Sequence, residues 1–353
     1  MLSGAKVALA SILHGSGITP MVLHLRRRRP LVLRYHRVYP DGAKPFYELG
    51  ISRSLFEAQL DYLARRHNVV GLDQLLAGLS EQARLPDRAV AITFDDGYRD
   101  NFSEAFPALR RRQMPATWFV SAGNLDRREP FWWDRLASAV ESARSVFEVD
   151  VGAGSERFEL DGPVSRRRAF DRIREGLKLM PHSRARAVLE ALETQCDPGV
   201  REAALESGEL LRWDEVVEMS RGGIEIGSHA LDHPVLSRLP SEEMTRQVVE
   251  SRRTIEARIG RPVRFFSYPN GKREDVTPEV ERTVRAAGYL GAVSTIEGRI
   301  GPRSNPFMLE RKGMTKGAST NARGALNEAL LSTELSGIFD LLLQRRRRGR
   351  AVH

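Results

Sequence analysis

The sequence predicts an α/β protein, a parallel sheet wrapped by helices, and three observations carry that prediction. Short apolar, β-branched runs alternate with segments whose apolar residues recur at helical spacing along most of the chain. One run, Val90, Ala91, Ile92, Thr93 and Phe94, lacks the polar alternation of a half-buried strand, which marks burial on both faces. The length, 353 residues of which 41% are hydrophobic, suffices for one large α/β domain or for one domain plus an insertion.

Taken in order, "MLSGAKVALASILHGSGITPMVLHLRRRRP" is expected to form a short helix leading into a basic run, an N-terminal segment of residues 1–30. Its apolar stretch from Val7 to Leu13 is too short and interrupted for a clear signal peptide, and no stretch reaches transmembrane length. "PLVLRYHRVYP" is a strand that ends at His36 and is stopped by Pro40. "SRSLFEAQLDYLARRH" is a helix with Leu55, Leu60 and Leu63 on its inner face, capped by Ser52 or Ser54. "NVVGLDQLLAGL" supplies a short strand and a second helix. The "AVAITFDDG" strand turns through Gly97 into a helix capped by Asn101 or Ser103, and "MPATWFVSAG" is the next strand.

The alternation lapses over residues 130–211. This stretch, rich in Arg, Glu, Ala and Leu and too long for a plain loop, is expected to be a mostly helical insertion opening with "FWWDRL". Strand and helix resume with "GIEIGSHALDHPVLSRLP", a charged helix over 242–259, the "VRFFSYPNGK" strand, a helix over 278–287 and the strand "YLGAVST". The domain so defined spans 31–315, and residues 316–353 add an amphipathic helix and an arginine-rich tail.

Basic residues outnumber acidic ones by 55 to 46, a formal net charge of +9. Two runs hold the whole excess: Arg26 to Arg29, and Arg345 to Arg348 with Arg350. The body between them is near neutral, which argues against a broad nucleic-acid groove, and no RNA- or DNA-binding motif accompanies it. The runs read first as solvated ends without a partner, though they also suit anionic lipid or an acidic polymer, and the expected location is cytoplasmic or peripheral at a membrane. A single cysteine, Cys196, excludes an internal disulfide framework and a cysteine-cluster metal site. Histidine and carboxylate must supply any ligands.

Such groups stand at the end of the buried strand. Asp95 and Asp96 are adjacent there, and desolvated neighbouring carboxylates need a cation or a hydrogen-bond set to compensate. An isolated Asp-Asp-Gly is most often a solvated turn. "GSHALDHPVL" changes the balance: His229 and His233, four apart after another apolar strand, would lie on one side of a helical turn. In a parallel sheet both strand ends open on the same C-terminal rim. Two histidines and one carboxylate leave positions open for water and substrate, while the second carboxylate, off the metal, is placed to take a proton.

"TFDDGYRDN", "SHALDHPVLSRL" and "FSYPNG", in that order, resemble the motifs of the polysaccharide deacetylase family of carbohydrate esterases, and the resemblance spans Leu31 to about Gly313 with the insertion set aside. It implies a distorted (β/α) barrel, often of fewer than eight strands, and metal-dependent removal of N-acetyl groups from an amino-sugar polysaccharide or oligosaccharide. Carried over by motif, Asp95 is the general base, and Asp96, His229 and His233 hold one divalent ion, usually zinc. Pro269 and Gly271 shape the third-motif loop, Tyr268 lines the cleft, and a backbone N–H near Asn270 faces the oxyanion. Three positions depart from the pattern. Ala230 stands where Ser or Thr usually follows the first histidine, and Ser267 stands where an arginine usually tethers the catalytic aspartate. The late motif ending in a catalytic histidine is missing, which places the chain closest in form to the branch that lacks it.

His36 is the candidate for the missing acid. "LVLRYHRV" ends a strand in histidine, as the missing motif does, and in a closed barrel a first strand can fill the slot of a last one. In this it is similar to the opening strand of the biofilm-polysaccharide deacetylases of the family. A neighbouring carboxylate is expected to hold His36 protonated near neutral pH. Trp132 and Trp133 suit stacking on sugar rings but fit better as anchors of the insertion, and His67 and His182 read as surface residues. The alternative function is a carbohydrate-binding or polysaccharide-export accessory protein on the same scaffold, weakened in catalysis. Retention of Asp95 beside the three ligand candidates argues against it, because a binding module does not need the off-metal aspartate.

Overall fold

The Ala89–Phe94 strand is buried at every position, as its unbroken apolar run requires, and the architecture is organised around it. The computed structural model describes residues 3–80, 84–143, 146–152, 154–196 and 199–342. Leu31–Tyr35 pairs in parallel with Ala89–Phe94, from Leu31 opposite Val90 to Tyr35 opposite Phe94, and this pairing closes a ring of seven parallel strands. The others, in order round the ring, are Leu309–Gly313, Gly291–Glu297, Phe265–Ser267, Glu225–Ser228 and Thr117–Val120. Asn68–Val69 adds a short eighth strand against Ala89 and Val90. The barrel is therefore distorted and closes with fewer than eight strands, and its C-terminal rim gathers the ends of all seven.

Alternation along each strand sorts the side chains into layers. Val32, Ala91, Phe119, Phe265, Val293 and Leu309 pack together as an apolar plug in the barrel. Gly227 is small to admit Phe119, since a Cβ there would lie 2.5 Å from its ring. Toward the C-terminal rim the same inward phase is occupied by Arg34, Thr93, Asp95, Ser267 and Arg311. The opposite phase faces the surrounding helices: the rings of Phe94 and Trp118 stack at 4.3 Å, and Arg53–Arg66 buries Phe56, Leu60 and Leu63 in the same cluster. Ser52 caps that helix, accepting from the Leu55 N–H.

Some local expectations are corrected. Asn101 does not cap the helix after the aspartates; the chain enters a π-helical turn, Asn101–Ala105, before Phe106–Arg111. Its buried amide instead donates to the His36 carbonyl (2.8 Å) and accepts from the Trp118 indole N–H (2.8 Å), tying two strand ends together. The stretch over 130–211, expected as an insertion, is mostly helical (Trp132–Ser142, Pro163–Leu179, His182–Glu193, Val200–Ser207) but also holds an antiparallel hairpin, Val146–Asp150 with Ser155–Glu159. It returns to the barrel where the Leu211 N–H donates to the Gly97 carbonyl, beside the aspartate turn.

The two terminal segments form one unit. Helices Ser3–Gly15 and Ile18–Leu25 pack on Glu328–Ser336, with Ala10, Leu330 and Phe339 in one cluster and the Thr19 and Thr333 hydroxyls 3.0 Å apart. Arg26 donates to the Ser336 carbonyl and Arg27 pairs with Asp87 at 3.0 Å, so part of the N-terminal basic run serves packing, while Arg28 and Arg29 are exposed. The second run, Arg345 to Arg350, lies outside the described residues. No single described helix is long and apolar enough to cross a membrane; Gly4–Gly15 and Ile18–Leu25 meet that requirement only as a pair bent by 73°.

Candidate active site

The rim is where the backbone departs from ordinary geometry. Among the described residues seven non-glycines have positive φ, and four of them, Asp96, Ala230, His233 and Asn270, belong to the three rim motifs. Such conformations cost free energy and concentrate where side chains must be aimed. Asp95 is fixed by its N–H, which donates to the Tyr35 carbonyl (3.0 Å), and the chain then turns through Asp96 (φ 77°) and Gly97 (φ 96°). His229 and His233 do not sit on a helical turn. After Glu225–Ser228 the chain makes a non-helical turn with Ala230 and His233 left-handed, and this brings the two rings to 4.7 Å.

The result is a compact three-residue cluster. Both Nε2 atoms lie near Asp96 Oδ1, that of His229 at 3.5 Å and that of His233 at 3.6 Å, and the three potential ligand atoms fall within 4.8 Å of one another. All three side chains are buried. His229 Nδ1 stands 2.7 Å from the Ser267 carbonyl, which selects the tautomer that leaves its Nε2 lone pair facing Asp96. His233 packs edge-on against Trp133 (4.7 Å) and Phe131 (5.7 Å). Burial and the charge of His229 push His233 down to about 3, so it stands neutral with a lone pair available. Two imidazole nitrogens and a carboxylate oxygen with open space beside them suit a divalent ion such as zinc. The residues present fit that ion.

Asp95 is held apart from this cluster by Arg311. The guanidinium grips it in a two-pronged pair, Nη1 to Oδ1 at 2.8 Å and Nη2 to Oδ2 at 2.6 Å, and Ser267 Oγ donates to Oδ1 at 3.1 Å. Arg311 is itself fully buried, with Nε donating to the Ser294 carbonyl (2.7 Å) and Nη1 to Thr93 Oγ1 (3.2 Å). Burial alone would raise the Asp95 pKa; the Arg311 charge outweighs it and holds the carboxyl well below the usual range. A tethering arginine is thus present, delivered from the Leu309–Gly313 strand. Sequence reasoning missed it. The signal available was its phase: two residues after the buried Leu309, Arg311 points into the barrel.

His36 leaves the Leu31–Tyr35 strand at the level of the aspartates and is half-buried. Burial lowers its pKa, and the charges of Asp96 and Asp95 offset this only in part. The carboxylates do not hold it charged near neutral pH, contrary to expectation, because desolvation outweighs them. Below it, Arg34 reaches Glu297 at 3.4 Å while its Nε and Nη1 are buried without a partner among the described residues.

In the third motif, Tyr268 is not a cleft residue. Its ring is buried and its hydroxyl donates to the Phe307 carbonyl (2.9 Å). Pro269 is buried, and Gly271 (φ 61°) is required, since a Cβ would lie 2.8 Å from the Tyr268 carbonyl. The Tyr268 and Gly271 N–H groups donate to the Val293 and Pro269 carbonyls, which leaves Asn270 as the loop's N–H outside these bonds. Trp133 is the expected anchor, donating to the Tyr98 hydroxyl (2.7 Å), whereas Trp132 lines the cleft. His67 is half-buried, with burial pushing it down to about 4, so it is no surface histidine; the side chain of His182 lies outside the described residues.

A cleft of about 830 Å³ runs from His233 and Asn270 on the rim to the insertion. The family model for polysaccharide deacetylase matches residues 82–153 and 162–291, most of the chain and both halves of the cluster. The chain belongs to the polysaccharide deacetylase family. Among relatives, it is 20% identical over 301 residues to the Bacillus subtilis protein YxkH, named for a polysaccharide deacetylase, covering 85% of this chain and 76% of that one. It is 28% identical over 120 residues to the poly-β-1,6-N-acetyl-D-glucosamine N-deacetylase of Staphylococcus aureus, an alignment covering 30% of this chain and 41% of that one. Two solved structures share the fold. The deacetylase PplD of Streptococcus pyogenes, in complex with acetate, superposes with a TM-score of 0.57 at 16% identity, covering 87% of this chain and 98% of that one. IcaB from Ammonifex degensii gives 0.55 at 19% identity, covering 88% and 97%.

Proposed function

We propose that the chain is a metal-dependent N-deacetylase of an amino-sugar glycan. The observation that supports this most directly is the division of labour between neighbouring aspartates: Asp96 faces two imidazole nitrogens, while Asp95 is clamped by Arg311 off that cluster. Asp96, His229 and His233 would hold the ion, which when bound supplies Lewis acidity toward the amide oxygen and lowers the pKa of water. Asp95, kept ionised and aimed by Arg311 and Ser267, takes the proton of the attacking water. The Asn270 N–H, which the loop's own backbone bonds do not take up, would donate to the developing oxyanion. As the C–N bond breaks, the leaving nitrogen takes a proton from His36, giving acetate and a free amino sugar. Donation requires the imidazolium, which the lowered pKa makes the minor form near neutral pH, so His36 takes up a proton from solvent in each turnover and, once charged, is a stronger acid toward the amine.

A bare sugar-binding module has no use for a buried guanidinium clamp on a second carboxylate, and the clamp favours the enzyme over the accessory reading. The test is acetate release from N-acetylglucosamine oligomers by the purified protein. Acetate should appear, vanish on chelation and return on adding zinc. Release that ignores chelation, or none from any N-acetylated glycan, contradicts the proposal.

A further inference from the structure

The cleft beside His233 has an unusual charge for a protein whose body is near neutral. Among the described residues seven basic side chains line it against three acidic ones. Four of the seven are neutralised locally: Arg127 by Glu129 and Asp232, Arg135 by Glu193, Arg186 by Glu190, Arg246 by Glu243. The other three behave differently. Arg128 and Arg238 are exposed and have no ion-pair partner among the described residues, and Arg128 is held at φ 52° at the end of the Ala122–Arg127 helix. Lys178, on the insertion, has among the described residues one ion-pair partner, Glu175 at 3.7 Å. Burial lowers its pKa, Glu175 raises it, and the charges of Arg174 and of Lys272, which follows the third-motif loop, lower it again. Lys178 from the insertion lines the same cleft as Arg128 and Arg238 from the loops that leave the barrel strands, an arrangement of like charge that a bound anion relieves.

We infer that the glycan deacetylated here carries a negatively charged group, a carboxylate or a phosphate, beyond the reacting N-acetyl sugar, and that Arg128, Arg238 and Lys178 hold it. The inference rests on the deacetylase reading and names the substrate class for that same site. The chemistry of the reaction is consistent with it. Removing an acetyl group turns a neutral amide into an amine that is protonated near neutral pH, so a cationic wall favours the acidic substrate and repels the product. A chain already rich in free amines is the polymer this cleft rejects. Trp132, lining the same cleft, offers a stacking face for the sugar between the anion and the rim.

The experiment titrates the full-length protein, by tryptophan fluorescence, with three probes. These are a neutral N-acetylglucosamine oligomer, an oligomer alternating N-acetylglucosamine with glucuronate, and a phosphodiester-linked N-acetylglucosamine oligomer. Acetate release is measured on each in parallel. One of the acidic probes should bind about tenfold more tightly than the neutral one at low salt, the advantage shrinking as salt rises. Which acidic probe wins identifies carboxylate or phosphate. Arg128→Gln with Arg238→Gln, changes at exposed positions, should erase the advantage and leave neutral-oligomer binding unchanged. Equal or tighter binding of the neutral oligomer, binding of no probe, or a double variant that keeps the acidic preference overturns the inference. Because binding is read apart from turnover, acidic preference without acetate release would instead count against the deacetylase reading alone.

Discussion

Two carboxylates are buried to nearly the same depth and meet opposite fates. Asp95, on the barrel rim, is 1% exposed; Asp134, on the first helix of the insertion, is 2% exposed. Asp95 receives a guanidinium and a serine hydroxyl, whereas Asp134 receives two phenols, from Tyr98 (2.9 Å) and Tyr47. Burial pushes Asp134 up to about 6, its hydrogen bonds and the Arg37 charge countering only part of the penalty, while Asp95 stays far below its ordinary value. Neutral donors satisfy a carboxylate's geometry without stabilising its charge as a cation does. The rim keeps its charge. The insertion's root, where Trp133 also bonds Tyr98, binds an acid that gives up much of its charge near pH 6 to hold two parts of the molecule together.

Arg311→Met should have the largest effect, because it strands Asp95 as a buried, uncompensated charge. A loss of about 3–5 kcal/mol of stability is expected in denaturant unfolding, together with loss of turnover. Arg311→Lys should recover part of the stability but little of the activity, since a point charge cannot replace the fork. His36→Ala probes the rim without disturbing its charge balance. It should retain metal and reduce acetate release by about two to four orders of magnitude, less for acetate esters of acidic phenols, whose leaving groups need no proton.

Asp134→Asn should act in the opposite sense and more weakly. The folded pKa of Asp134, about 6, lies above its ordinary 3.8, so its stabilising contribution is complete below the unfolded value and is lost as pH rises through about 6. The variant should therefore be more stable than wild type at pH 8, by roughly 2–3 kcal/mol, with the gain disappearing by pH 4 and activity preserved. For Asp95 the sign reverses: its contribution is present above the ordinary carboxylate value and is lost only in strong acid. A stability profile of Asp134→Asn parallel to wild type between pH 4 and 8 would remove the contrast.

The same contrast explains what was legible in the sequence. Asp95, Asp96, His229 and His233 announce themselves because each pair is local, set at the end of an apolar strand with a fixed spacing. Arg311 lies 216 residues beyond Asp95 and looks like any charge in "LERKG"; only the barrel's layering brings them together. The substitution at Ser267 was visible, but its compensation was not, since that requires knowing which strands share an inward layer. The hairpin in the insertion was hidden by composition, although Phe147 and Val149 alternate with exposed neighbours. His36 was correctly placed at the strand end, yet its charge state depends on desolvation, which sequence does not report. The packing of the terminal helices on one another is not legible in the sequence, because their partner surfaces stand at opposite ends of the chain.

The most direct measurement compares metal content and acetate release in Asp95→Asn and Asp96→Asn, each confirmed folded by circular dichroism. Asp95→Asn should bind the ion with wild-type stoichiometry and lose nearly all turnover. Asp96→Asn should lose the ion itself and recover some of its activity when zinc is supplied in excess. Equal metal loss in both variants, or turnover that survives in Asp95→Asn, would contradict the division of roles on which the account rests.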